Sequence, residues 1–138
     1  MVYQRDYIMR MIEMIGELVR AILGLIKQGK YEEAYRSIEN AYRDILKEDA
    51  AFFSSIPPEK LTDTLLREHN YTSGHLEVLS ELFYAQAEWF HAQDREKEGL
   101  LYYRKALILL EFVMAESKVF SLGKQARLAY LKKRLSTR

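Results

Sequence analysis

The stretch that decides the fold is Gly29 to Ala41, GKYEEAYRSIENA, where a glycine turn leads into a helix with alanines seven residues apart. Glycine ends the preceding helix because it reaches the left-handed backbone conformation at little cost. Ala34 and Ala41 leave room for a neighbouring helix to approach closely. A turn this short forces the two helices to run antiparallel, so the stretch predicts a helical hairpin.

The residues on either side of this turn give the extent of the hairpin. From Tyr7 to Ile26 the apolar residues recur every three or four positions, which is the spacing of one helical face. The pattern predicts a helix over about 4–28 and a second helix over about 31–47.

A second stretch repeats the pattern. The polar turn Gln93 to Arg95 is followed by Gly99, Tyr103 and Ala106, so small residues again lie seven apart. The sequence predicts a second hairpin over about 74–116, made of helices over about 74–92 and 95–116, with Ser73 as the N-cap of the first and an apolar run at 107–114 in the second. A helix that is apolar nearly all round is central in its domain or lies in an interface.

Two further segments complete the chain. Residues 48–73 interrupt the repeat with a loop that ends at Pro57 and Pro58, which pre-set a short helix over about 59–68. Ser121 is placed to cap a last helix over about 122–135. The sequence therefore predicts a single all-α domain over residues 1–138, with five to six helices, two antiparallel hairpins and a C-terminal capping helix.

Composition limits the class of protein. The 138 residues include no cysteine, which excludes disulfides and thiolate metal sites and suits a reducing cytoplasm. Charged residues interrupt the first helix every few positions, and its longest uncharged run, Ala21 to Ile26, is far shorter than the about 20 residues of a membrane span. We expect a cytoplasmic protein with no signal peptide and no membrane segment.

The charges are unevenly distributed. Residues 49–94 hold 8 acids and 2 bases, whereas residues 95–138 hold 4 acids and 11 bases. Basic residues of the last helix form a candidate anion-binding set: Lys124, Arg127, Lys132, Lys133 and Arg134. Such a set attracts phosphate and would suit a nucleic-acid-associated regulator. The same bases also suit a helix C-terminus, or pairing with the acidic segment inside the chain or across a dimer.

The two hairpins resemble degenerate tetratricopeptide repeats. In the first copy Gly29, Tyr31, Ala34, Ile38 and Ala41 fall where that repeat has its glycine, aromatic, alanine, large apolar and alanine residues. The second copy has Asp94, Glu96, Gly99, Tyr103 and Ala106 at these positions, 65 residues further along instead of about 34. The opening Tyr3 to Glu13 together with Gly29 to Ala34 is also similar to a family of small bacterial helical proteins of unknown function.

The repeat resemblance implies a groove lined by the first helix of each hairpin. The corresponding positions are Gly16, Val19, Leu23 and Ile26 in one copy and Glu81, Tyr84, Glu88 and His91 in the other. A groove that is half apolar and half acidic suits a basic amphipathic helix, and the chain's own last helix is one such ligand. Two repeats are too few to bury their own surfaces, so we also expect a homodimer.

No arrangement of residues points to catalysis or to a cofactor. Glu88 and His91 have the spacing of a carboxylate–histidine metal pair, but the facing pair that such a site needs is missing. His69 and His75 are expected in loop and capping roles. Glu111, within an apolar run, is the carboxylate most open to desolvation, with a surface position or an ion pair as the alternative. We therefore expect a non-enzymatic interaction or scaffold module without metal or cofactor, and the nucleic-acid-associated regulator is the alternative.

Overall fold

The computed structural model describes residues 2–117 and 120–136, and it describes side chains from Tyr7 onward. Within these residues the chain is all-helical and forms seven α-helices, which are α1 (Val2–Lys27), α2 (Tyr31–Leu46), α3 (Ala50–Ser54), α4 (Leu61–Asp63), α5 (Ser73–Ala92), α6 (Glu96–Glu116) and α7 (Leu122–Ser136). The two predicted hairpins correspond to α1–α2 and α5–α6, and the predicted last helix is α7. No strand occurs in the described part of the chain.

The turn between α1 and α2 forms as the sequence predicts. Gly29 adopts the left-handed conformation with φ of 77°, and the N–H of Lys30 donates to the carbonyl of Leu25 at 2.9 Å. These features end α1 two residues before the glycine and reverse the chain.

The segment between the hairpins contains more helix than predicted. Residues 50–54, expected as a loop, form α3, because Asp49 accepts a hydrogen bond from the N–H of Phe52 at 2.8 Å and Phe53 is buried. The predicted helix over 59–68 is instead a chain of short turns: a 3-10 turn at Pro58–Lys60, then α4, then a π-helical turn at Thr64–Glu68. This segment brings the total to seven helices instead of five or six.

The N-terminus of α5 is capped one residue earlier than predicted. Thr72, not Ser73, is the N-cap, and its hydroxyl accepts from the N–H of His75. The His75 ring nitrogen in turn accepts from the Thr72 N–H at 3.1 Å, which completes a capping box. Burial lowers the pKa of His75. The predicted capping role of this histidine is therefore confirmed.

Helix α5 is the most enclosed element. It contacts α1 and α2 on one side and α6 on the other, and it buries eleven residues, including Leu76, Leu79, Phe83, Ala87 and Phe90. Close approach to α6 is possible because Gly99 is buried beside the Ala87 carbonyl and the Ser80 hydroxyl donates to the Ala106 carbonyl at 2.9 Å. The predicted helix crossing at Gly99 and Ala106 is thus confirmed.

The contacts also give the helix directions. Ile8, in the second turn of α1, lies against Gly74 at the start of α5; α1 runs in the same direction as α5, since each is antiparallel to α2. Tyr42 of α2 reaches Gln86, whereas Tyr31, at the start of α2, reaches the end of α5 at Ala92; α2 is therefore antiparallel to α5. None of the helices within residues 2–117 and 120–136 combines the length and apolar character that a membrane span requires.

Two glycines offer a matched test of the hairpin turn. We expect Gly29→Ala to lower the free energy of unfolding by about 1 kcal/mol, since alanine is strained at a positive φ. Gly24→Ala, inside α1 where an added Cβ meets nothing within 4 Å, should raise it by up to about 1 kcal/mol through helix propensity. Urea denaturation measures both, and equal signs for the two variants would contradict the assigned turn.

Candidate functional site

The basic helix α7 covers the acidic half of the predicted groove. Three carboxylates along α5 each face a cation of α7: Glu77 lies 3.2 Å from Lys124, Glu81 lies 3.0 Å from Arg127, and Glu88 lies 4.0 Å from Arg134. The order of the pairs along the two helices shows that α7 runs in the same direction as α5. We call the surface of Glu77, Glu81, Tyr84, Glu88 and Tyr103 under α7 the acidic groove.

The pair between Arg127 and Glu81 is the most specific contact in the acidic groove. Its two hydrogen bonds, from Nε at 3.0 Å and from Nη2 at 3.1 Å, form the planar two-point arrangement that arginine makes with carboxylates. The same guanidinium lies 3.7 Å above the ring of Tyr84. Tyr84 is 7% exposed, and burial raises its pKa to about 12. Arg127 therefore meets both an acid and an aromatic face.

Glu88 is the second anchor of α7. Its carboxylate accepts hydrogen bonds from the hydroxyls of Tyr103 on α6 and Tyr130 on α7. Burial and the hydrogen bond to Glu88 raise the pKa of both phenols, which keeps them protonated as donors. Arg134 adds a hydrogen bond to the Tyr130 hydroxyl at 3.0 Å. The carboxylate of Glu88 thus contacts three side chains, those of Tyr103, Tyr130 and Arg134.

The other half of the predicted groove is mostly core. Val19 and Ile26 are buried in the hydrophobic core, so they are unavailable to a partner, which contradicts their assignment to the groove. Leu23 and Gly16 are half-buried, as is His91 on α5. A cavity of about 250 Å³ separates α1 from the start of α7 and is lined by Ile12, Gly16, Glu77, Ser80, Ser121 and Arg127, among others.

The candidate anion-binding residues lie mostly in ion pairs. Lys124, Arg127 and Arg134 contact the acidic groove, and Lys132 lies 4.0 Å from Glu111 at the surface. Lys133 is exposed and also has an interaction partner. Glu111 is itself exposed, so the alternative of a surface ion pair, not desolvation, is correct for this residue.

The remaining histidine and hydroxyl candidates have structural contacts. His69 lies 3.3 Å from Glu48 and packs on the rings of Phe52 and Tyr71. The Ser121 hydroxyl accepts from the N–H of Lys124 at 3.2 Å, which confirms it as the cap of α7. Among the described residues, no group of three or more metal-ligating side chains comes together.

One buried cation was missed by the sequence analysis. Lys105 is 1% exposed, and its ammonium donates to the carbonyls of Phe53 and Ser54 at 3.2 and 3.4 Å, near the rings of Phe83 and Tyr102. It fixes the end of α3 against α6, and burial lowers its pKa below the ordinary 10.5. The available signal was its place on the apolar face of α6, between Tyr102 and Leu109.

Lys105 gives a pH-dependent prediction. A base whose pKa is lower in the folded chain loses its proton more readily there, so its effect on stability becomes more favourable as pH rises toward 10.5. We expect any stability advantage of Lys105→Met over the natural chain to be largest near neutral pH and to shrink as pH approaches 10.5. Paired urea titrations at several pH values measure this difference, and a difference that grows with pH would contradict it.

The docking of α7 gives a second prediction. Arg127→Glu removes two charged hydrogen bonds, and one bond of this kind contributes about 2 kcal/mol to stability. Amide hydrogen exchange in α7 should therefore accelerate by about thirtyfold or more. Lys132→Glu makes the same charge change on the same helix but at an exposed pair, where the expected effect is small. Equal exchange rates in the two variants would contradict the proposed anchor.

Comparison of the chain with protein-family models, with curated proteins and with solved structures finds no match. What the protein does must therefore be inferred from the acidic groove and the helix that lies in it.

Proposed function

We propose that this chain is a non-enzymatic protein-interaction module that binds basic amphipathic helices in the acidic groove. The observation that carries the proposal is the position of α7, in which Lys124, Arg127 and Arg134 each contact a carboxylate of α5. A helix laid in a groove is a common mode of protein recognition, in which spaced anchor residues give specificity. The chain thus contains both a receptor surface and an example of its ligand.

The arrangement of helices supports a tetratricopeptide-repeat-like module. Helices α1, α5 and α7 run in one direction, while α2 and α6 run in the other, so two hairpins lie side by side and a further helix covers the open face. Repeat modules of this kind present the first helices of successive hairpins as one continuous binding surface, and they need caps at their ends. Helix α7 then has two roles: it caps the module and it occupies the binding surface.

The contacts within the groove favour binding over catalysis. Each groove carboxylate already has a cation or hydroxyl donor beside it, whereas a catalytic acid or base needs an open side next to a substrate position. We propose a scaffold role in the cytoplasm, in agreement with the lack of cysteine.

A nucleic-acid-associated role finds less support. Phosphate would have to compete with Glu77 for Lys124 and with Glu81 for Arg127, and the latter pair has two hydrogen bonds and a stacked ring. The internal pairs satisfy these bases without a polyanion. We therefore favour a helical protein segment as the ligand.

A labelled peptide of residues 121–136 tests the proposal. Because α7 occupies the groove in the natural chain, the peptide should bind it weakly. The full-length Arg127→Glu chain keeps the groove but loosens its own α7, so peptide affinity should rise about tenfold or more in fluorescence anisotropy. Peptide binding that is absent from both chains would refute the helix-binding function.

Three controls separate groove binding from general charge effects. The full-length Lys132→Glu chain gains the same negative charge at an exposed site and should bind the peptide as weakly as the natural chain. A peptide carrying Arg127→Glu should not bind. The Glu81→Arg chain should also fail to bind the natural peptide, because the groove then presents a cation to Arg127.

A further inference from the structure

Helix α7 is the long helix with the least buried apolar surface. Of its residues 122–136, only Leu131 is fully buried, and the other apolar side chains of its seam, Leu128, Tyr130 and Leu135, are half-exposed. The 250 Å³ cavity is open to solvent and lies between α1 and the first turns of α7, so these turns do not pack closely against α1. Elements with few buried apolar contacts open at a lower free energy than the whole chain. We therefore expect α7 to detach from the acidic groove while α1, α2, α5 and α6 stay folded.

The contacts that hold α7 do not require it to belong to the same chain. Helix α7 packs on α6, and side chains position it: the ion pairs at Glu77, Glu81 and Glu88, the stacking on Tyr84 and the hydroxyls at Glu88. A short connection, residues 117–121, joins the end of α6 to the start of α7. An identical α7 from another molecule would find the same partners at the same spacing.

The most exposed large apolar residues among the described side chains lie at the start of α7, one just before its first residue and one at it. Phe120 is 71% exposed and Leu122 is 76% exposed. When two chains exchange α7, the start of each α7 comes from the other chain, and Phe120 and Leu122 of the two chains then offer apolar surface to each other. Burial of such surface contributes about 25 cal/mol per Å². These exposed residues thus favour exchange with a second copy over exchange with an unrelated helix.

We propose that two copies of this chain exchange α7, so that each acidic groove is occupied by the C-terminal helix of the other chain. The proposal rests on the proposed helix-binding function and names its partner as a second copy. The site is then completed by the partner, since Arg127 and Tyr130 come from the other molecule. The exchange uses the contacts already present in the acidic groove, together with the exposed surfaces of Phe120 and Leu122.

Complementary charge reversals test the exchange. In a Glu81→Arg chain and in an Arg127→Glu chain, the pair at this position is mismatched both within one chain and between identical chains. When the two full-length variants are mixed, exchange matches the charges in both grooves at once: the groove with Glu81→Arg receives the helix with Arg127→Glu, and the natural groove receives the natural helix. We expect native mass spectrometry to show a heterodimer fraction about tenfold above the homodimer fraction of either variant alone.

A matched control uses the exposed pair. Lys132 and Glu111 form an ion pair that is exposed to solvent and therefore weak. Mixing the Lys132→Glu chain with the Glu111→Lys chain also matches charges on exchange, but it should give no preference for heterodimers. Circular dichroism establishes that each variant keeps its helical content, and the pair Glu77→Lys with Lys124→Glu replaces any variant that fails to fold. If folded variants mixed in this way remain monomers, the exchange is refuted.

An independent measurement uses the natural chain. Heavy-isotope and unlabelled chains, mixed at high concentration and then diluted, should form mixed-mass dimers that the Glu81→Arg chain does not form. Natural chains that stay monomeric at every concentration would overturn the proposal. If the labelled α7 peptide still binds the Arg127→Glu chain in that case, only the exchange fails and the helix-binding function stands.

Discussion

The burial of α5 is the constraint on which the rest of the structure depends. Three long helices, α1, α2 and α6, pack on this one, so any polar group that it carries toward them must find a partner, since an unpaired buried group costs about 1–3 kcal/mol. The Ser80 hydroxyl reaches the Ala106 carbonyl at 2.9 Å, and Gln86 accepts from the Tyr42 hydroxyl at 2.6 Å. Throughout the described side chains, no buried nitrogen or oxygen lacks a hydrogen-bond partner. These two bonds also fix how α2 and α6 sit on α5.

The same constraint gives a physical reason for the uneven charge distribution. One side of α5 carries the carboxylates Glu77, Glu81 and Glu88, and a helix that covers them must bring cations at the same spacing. Helix α7 does so, and the acidic middle and basic end of the sequence become complementary surfaces of one molecule. Arginine at position 127 fits better than lysine would, because a planar guanidinium can bind Glu81 at two points while it stacks on Tyr84.

Much of the fold could be predicted from the sequence, and much of the groove could not. The hairpins follow from local signals, namely apolar spacing and a glycine with positive φ. Helix α3 escaped prediction because five residues are too few to show periodicity, and its position depends on contacts of Phe53 with Tyr42 and Phe83, which are distant in sequence. Likewise, the sequence marked acids and bases but not their pairing, which depends on where α7 lies relative to α5 once it packs on α6.

Holding a helix by charge has a different consequence from holding it by apolar surface. When an ion pair opens, both ions regain water, so the net free energy of separation is small compared with the attraction itself. Apolar side chains that become exposed gain no comparable favourable interaction with water. Because α7 buries only Leu131 completely, its removal exposes little core, whereas α1 and α2 bury whole faces against α5 and remain in place. The distribution of charge and apolar surface therefore confines low-cost opening to the one helix that lies in the acidic groove.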